Sequence, residues 1–224
     1  MRKKLSFTWI EAAWRHDFGG GVMMRSFWIL GLLLLSSCLH AEDIQTAPDV
    51  LVRQVATEIL ASLQGDKALS GDRKRLLDLV AVEILPHFDF LRMTRLAMGG
   101  HWNDATPGQQ AVLVKEFRAL LAHTYAGVLS DYDGQRIEFH PLKLFPGEQQ
   151  VRVSTTVVSA GGDAFPMDYL MEKTPSGWEA YDVVIDSVSV LAIYRTSFAF
   201  EIGLGGIDRL IGILVEKDQQ AGPF

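Results

Sequence analysis

The hydrophobic pattern of this chain changes period at Asp133-Gly134, from apolar residues every three to four positions to strict alternation, and returns to helical spacing after Asp186-Ser187. This segregation constrains the fold more than any motif does. A parallel sheet needs a crossover helix between successive strands, so helices that all precede or follow the strands exclude the α/β class and leave α+β.

Upstream of the switch, Ala47-Pro48-Asp49 opens a first helix with Pro in its favoured early place. Leu51, Val52, Val55, Ile59, Leu60 and Leu63 form its apolar stripe, and Gln64-Gly65-Asp66 ends it. A second helix is predicted over 72–85, with Leu76, Leu77, Val80 and Ile84 inward and Pro86 as its stop. A third, over 87–98, carries Phe88, Leu91 and Leu96 and closes on Gly99-Gly100. Thr106-Pro107-Gly108-Gln109 is a capping box with Pro at the first helical position. It opens a fourth helix of about 26 residues, long enough to lie across a whole sheet.

Downstream, 136–142, 149–159, 164–173 and 178–185 read as four strands. Gly161-Gly162-Asp163 and Pro175-Ser176-Gly177 are tight connections that predict antiparallel hairpins. Phe165, Met167, Tyr169 and Met171 share one face of the third strand, and Asp168 and Glu172 the other. In the fourth, alternation sets Tyr181, Val183 and Ile185 opposite to Ala180, Asp182 and Val184. Val190, Leu191, Tyr194 and Phe198 then line a helix, and the closing helices are predicted over 190–201 and 206–216. The expected architecture is α+β: a curved four-stranded antiparallel sheet wrapped by about six helices. Such a cone, open at one end, holds either a packed core or an apolar ligand.

The front of the chain is a separate matter. Phe27 to Leu35 is an apolar run too short to span a bilayer, Arg25 precedes it, and Leu39-His40-Ala41 offers a cleavage site. This is a secretory signal pattern, with cleavage expected near Ala41 and one domain over 42–224. Residues 1–23 carry Glu11 and Asp17 ahead of the charged segment, and Met23 or Met24 makes a more ordinary start. Cys38, the one cysteine, stands in Leu35-Ser36-Ser37-Cys38, which fits either a discarded signal residue or a lipoprotein anchor. A disulfide framework is excluded. Removing residues 1–41 takes away Arg2, Lys3, Lys4, Arg15 and Arg25 with Glu11 and Asp17. That leaves 16 basic and 25 acidic residues, a formal charge of −9. A domain this acidic is a poor partner for nucleic acid and is repelled by anionic lipid surfaces.

Reactive constellations are missing from the sequence. His87, His101, His123 and His140 have no metal-ligand spacing, and no G-x-S-x-G elbow occurs. Gly203, Gly205 and Gly206 lack the preceding strand of a phosphate loop and read as a helix end and a helix start. Asp168 and Asp182 are the carboxylates to consider as bases, although a strand carboxylate usually faces solvent or bridges to a neighbour. Asp186 fits a cap on the next helix. What remains is an apolar set: Phe117, Leu121, Tyr125, Met167, Tyr169, Met171, Tyr181, Val183, Ile185, Tyr194 and Phe198. It is either core or the wall of a site for a flexible apolar ligand, which adaptable Met and aromatic side chains suit.

Three pieces carry a resemblance: WNDATPGQQAVLVKEFRALLAHTYAGVLSDYDG at 102–134, MDYLMEKTPSGWEAYDVVIDSVSV at 167–190, and YRTSF with GGIDRLI at 194–211. From the signal onwards the chain resembles the periplasmic phospholipid-binding proteins of the Mla (maintenance of lipid asymmetry) pathway, the toluene-tolerance family. The resemblance implies an NTF2-like cone with acyl tails inside and the headgroup outside, and needs no cofactor. It also implies a carrier running between an outer-membrane lipoprotein–porin complex and the substrate-binding ring of an inner-membrane ABC transporter. By position it sets Tyr125, Met167, Tyr169, Tyr181 and Val183 in the pocket, with Leu121, Tyr194 and Phe198 closing its far side. Tyr125→Glu or Val183→Glu is then expected to empty the pocket of a protein that still folds. The competing expectations are a lipid-anchored adaptor filled by its own side chains and an NTF2-like enzyme using a pocket carboxylate.

Overall fold

A computed structural model describes residues 46–222. The signal segment, the cleavage position at Ala41 and Cys38 lie outside the described residues.

Helix α1 (Pro48–Gly65) buries Val52, Ala56, Ile59 and Leu63, the stripe expected from its periodicity. Helix α2 (Arg73–Leu79) is capped by Asp72, whose carboxylate accepts from Arg75 N at 3.1 Å. It does not continue to Leu85 as an α-helix. Pro86 supplies no N–H and crowds the turn before it, and the chain loosens into a π turn over Val80–Ile84 and a 3-10 turn over Leu85–His87. Helix α3 (Phe90–Met98) starts three residues later than predicted, because Asp89 is its cap and accepts from Arg92 N at 2.8 Å. Helix α4 (Pro107–Ser130) has 24 residues and both bonds of its capping box: Gln109 N donates to Thr106 Oγ1, and Thr106 N to Gln109 Oε1.

The sheet is a meander of five antiparallel strands, not four: β1 (Arg136–Phe139), β2 (Gln150–Val158), β3 (Ala164–Thr174), β4 (Gly177–Ile185) and β5 (Val188–Ser189). β1 stops short of Leu142, since Pro141 has no N–H for the ladder. The additional strand comes from Asp186 and Ser187, which both take positive φ, at 49° and 68°. Two successive left-handed residues make a two-residue hairpin, pairing Val184 with Ser189 and Ile185 with Val188. The expected elbow is therefore a β-turn, and Asp186 sits in that turn instead of capping the helix.

A bulge alters which side chains share a face. Along β3 and β4, Met167 pairs with Ile185 and Tyr169 with Val183, but Leu170 opposes Asp182 while Met171 opposes Ala180. Tyr181 is the extra residue. It reverses the alternation, so Trp178 and Ala180 join Met171 on the apolar face and Tyr181 leaves it.

Helix α5 (Val190–Ala221) contains the two predicted closing helices as one element interrupted at Gly205–Gly206, so among the described residues five α-helices stand where about six were expected. Gly206 has φ 75° and ψ −175°, a conformation open to glycine and very little else. The chain reverses there. Phe198 meets Phe117 edge-on, Asp208 accepts from Gln109 Nε2 near the start of α4, and Asp218 is back at His123, further along α4.

Most of the core forms one cluster, whose fully buried side chains include Phe117, Leu121, Leu76, Leu113 and Met98. The principal backbone neighbours of α4 are α2, α3 and α5; the strands are approached by α1, α3 and α5. Side chains of α4 and of the sheet meet in the space between them: Phe117, Leu121 and Tyr125 share the main cluster with Met167, Tyr169, Val183 and Ile185.

Candidate functional site

That space lies between α4, the apolar face of β3 and β4, and the first half of α5. Phe117 and Leu121 are wholly buried on α4, and Val183, Ile185, Tyr194 and Phe198 are buried opposite them in the same cluster. Three aromatic rings knit the helices: Phe117 is edge-on to Tyr194 at 4.9 Å and to Phe198 at 5.1 Å. Tyr125, Met167 and Tyr169 pack against this cluster yet keep part of their surface accessible. Phe165 and Leu129 do the same; both share a predicted face with the candidate residues, and facing was the signal that could have added them.

Two of the candidates are elsewhere. Met171 is buried in a second cluster with Val52, Val153, Trp178 and Ala180, under α1, and only Tyr169 of the candidates borders both clusters. Tyr181, displaced by the bulge, carries the Arg92 guanidinium over its ring at 3.8 Å, and Arg92 also pairs with Glu172. Its expected place beside Val183 is corrected by the register: one inserted residue turns its side chain out of the apolar face.

The tyrosines are held neutral. Burial pushes the Tyr169 hydroxyl up to about 12. Burial raises Tyr125 further, with Tyr169 and Asp182 adding to the effect, and it raises Tyr194 well above the usual phenol value with Tyr125 contributing. Tyr125 and Tyr169 thus keep part of their surface accessible while their hydroxyls are strongly desolvated.

Neither suspected carboxylate is available as a base. Asp168 accepts from Arg152 Nη1 at 2.8 Å on the opposite face of the sheet. Asp182 is buried, which raises its carboxyl, but both oxygens are occupied. Oδ1 accepts from Val183 N at 2.8 Å and Leu191 N at 3.2 Å, and Oδ2 from Ser189 Oγ at 2.5 Å. Ser189 in turn accepts from Ala192 N at 3.0 Å and is the cap of α5. Asp182 therefore fastens the helix start to β4, a role that alternation along the strand could not reveal.

An open depression of about 630 Å³ between α1 and α2, lined by residues including Asp66, Arg75 and Leu79, shares no residue with this interior. Among the described residues no three His, Cys, Asp or Glu side chains gather as a metal site, and no helix is long and apolar enough to cross a membrane.

The chain is similar to several known proteins. The chain is 25% identical over 180 residues to the intermembrane phospholipid transport system binding protein MlaC of Haemophilus influenzae, covering 79% of this chain and 84% of that one. It is 25% identical over 182 residues to the toluene tolerance protein ttg2D of Pseudomonas putida, covering 80% and 84%. A phospholipid-binding protein of Ralstonia solanacearum, solved in complex with a phospholipid, superposes with a TM-score of 0.70 at 33% identity over 78% of this chain and 98% of its own. The family model described as MlaC protein matches residues 53–216, well over half of the sequence, and the chain belongs to the MlaC family.

Proposed function

We propose that this protein is a periplasmic phospholipid carrier that encloses acyl chains between α4, β3–β4 and the first half of α5 and leaves the headgroup outside. The observation that carries the reading is the likeness to a protein solved with a phospholipid bound, at 33% identity over 78% of this chain and 98% of that protein. The partly accessible apolar walls at Tyr125, Met167 and Tyr169 support it, with Phe117, Leu121, Val183, Ile185, Tyr194 and Phe198 packed behind them. An NTF2-like cone is the corresponding shape. The route is from an outer-membrane lipoprotein–porin complex to an inner-membrane ABC transporter, or the reverse.

The physics needs no reactive group. Each methylene moved out of water is worth about 0.8 kcal/mol, so a tail of roughly 15 methylenes contributes on the order of 12 kcal/mol. A carrier has only to match that environment. Mass spectrometry of residues 42–224 purified from a bacterial periplasm tests the reading. Stoichiometric phospholipid is the expected result. A folded, empty protein would favour the self-filled adaptor, and a small polar molecule would favour an enzyme.

A further inference from the structure

The first half of α5 is apolar on two opposite sides. Its inner side, Leu191, Tyr194 and Phe198, is buried against the interior. On its outer side Ile193, Phe200 and Leu204 are 42%, 63% and 59% exposed, and Val188, just ahead of the helix, is 51% exposed. From Ile193 to Leu204 the row is about 16 Å long, three turns of helix. A helix apolar all round is ordinarily covered on all sides, and among the described residues this one is open along its outer side. The side-chain donors on that side are satisfied within the helix. Thr196 Oγ1 donates to Ala192 O at 3.1 Å and Ser197 Oγ to Ile193 O at 3.2 Å, which lets a hydroxyl enter hydrocarbon without an unpaired donor. Between Val190 and Gly206 the charged residues are Arg195 and Glu201. Arg195 Nε turns aside to donate to Leu96 O on α3 at 2.8 Å, and Glu201 accepts from Arg209 Nε at 2.9 Å.

Area and charge decide what fits this face. Four large apolar side chains, each about half exposed, offer on the order of 400 Å², the size of a functional patch but only about half of the roughly 800 Å² per partner in a stable protein interface. A second copy of the chain therefore finds too little area here. A protein partner is recognised through donors left open on a face, whereas a hydrocarbon surface requires that none be left open, and that is the condition met by Thr196 and Ser197. The chain has a formal charge of −6, yet the one acid of this stretch is held in an ion pair, and the exposed Arg195 stands at the edge of the face, where a guanidinium can reach a lipid phosphate. We propose that the outer face of α5, Ile193, Phe200 and Leu204 with Val188, is a membrane-contact surface that lies reversibly in the interfacial layer of a zwitterionic phospholipid bilayer. It does not span the bilayer, for which no described helix is long and apolar enough. The contact is on the outside of the α5 wall and does not depend on what fills the interior.

The test floats the protein, expressed from the full-length sequence and purified from a bacterial periplasm, through a density gradient with vesicles of phosphatidylcholine and phosphatidylethanolamine. Wild type is expected to rise with the vesicles in proportion to lipid concentration. Phe200→Asp and Leu204→Asp should each lower the partition coefficient about ten-fold or more. Both positions are exposed, so both variants should melt within about 2 °C of wild type. Phe145→Asp is the control for general stickiness: Phe145 is also 63% exposed, in the connection between β1 and β2, and its replacement should leave partition unchanged. Phe200→Trp should add tryptophan emission that brominated acyl chains quench, which places the face in the bilayer. Wild type that stays at the bottom of the gradient at millimolar lipid, flotation undiminished in Phe200→Asp, or an equal loss in Phe145→Asp would each overturn the proposal. So would a dimer in light scattering that Phe200→Asp splits, which would assign the face to a second copy.

Discussion

Replacing Asp182 separates a structural carboxylate from a working one. Its oxygens accept three hydrogen bonds, two of them from the backbone N–H groups of Val183 and Leu191, and the third orients Ser189 so that its oxygen can cap Ala192 N. In Asp182→Ala both backbone donors are left buried without an acceptor, at about 1–3 kcal/mol each, and the Ser189 cap is weakened. Relief of a desolvated charge, visible in the raised carboxyl, offsets part of this. A net loss of about 3 kcal/mol follows, which for a domain of this size is a fall in Tm of roughly 6–12 °C. Asp182→Asn keeps one oxygen for both backbone donors and forfeits only the acceptor facing Ser189, so about 1 kcal/mol is expected. Thermal unfolding followed by circular dichroism should rank wild type above Asn above Ala, with phospholipid retained by the Asn variant. A Tm for Asp182→Ala within 2 °C of wild type, a margin of roughly half a kcal/mol, would refute the capping argument. Loss of lipid from a fully stable Asn variant would return Asp182 to the ligand site.

Other expectations follow from the same geometry. Val183 is 4% exposed inside the main cluster, so Val183→Glu buries a carboxylate and should unfold the protein instead of merely emptying it, whereas Tyr125→Glu, at a partly accessible wall, should remain folded and lose lipid. Circular dichroism and lipid mass spectrometry of the two variants distinguish these outcomes. His123 lies between Arg73, with Nη2 at 3.3 Å, and Asp218 at 3.4 Å. Burial first, then Arg73, holds its pKa below the ordinary 6.5, against the pull of Asp218. The unfolded chain therefore binds the proton more readily, and stability should fall as pH drops from about 6.5 through the folded value. His123→Gln should flatten the change in Tm between about pH 7.5 and 5.5, and the difference from wild type removes the contribution of His87, which burial shifts in the same direction. Gly206→Ala, at φ 75° and ψ −175°, should cost about 1–3 kcal/mol and loosen the return of α5 along α4, seen as faster amide exchange around Leu210 and Leu214.

The sequence by itself determined the class and many of the side chains that share the main apolar cluster. Its switch of period separates helices from strands, the Thr106–Gln109 box and Pro107 start α4 where they should, and Gly205–Gly206 mark the break in α5. These signals act over one turn of helix or one residue of alternation, so a reader of the chain has every participant in view. Facing alone brought Tyr125, Met167, Tyr169, Val183 and Phe198 to one cluster. Tertiary structure decided what depends on a distant partner. The bulge that expels Tyr181 exists only in the pairing of β4 with β3, because an extra residue is extra only relative to a neighbouring strand. Met171 keeps its face but packs under α1 in a separate cluster, a matter of which helix covers which part of the sheet. Asp182 looks like a strand carboxylate until Leu191 and Ser189 fold back upon it, and His123 comes to lie between Arg73 and Asp218 only when α2 and the end of α5 meet α4. Local periodicity chooses the face a side chain presents; long-range packing chooses what that face meets.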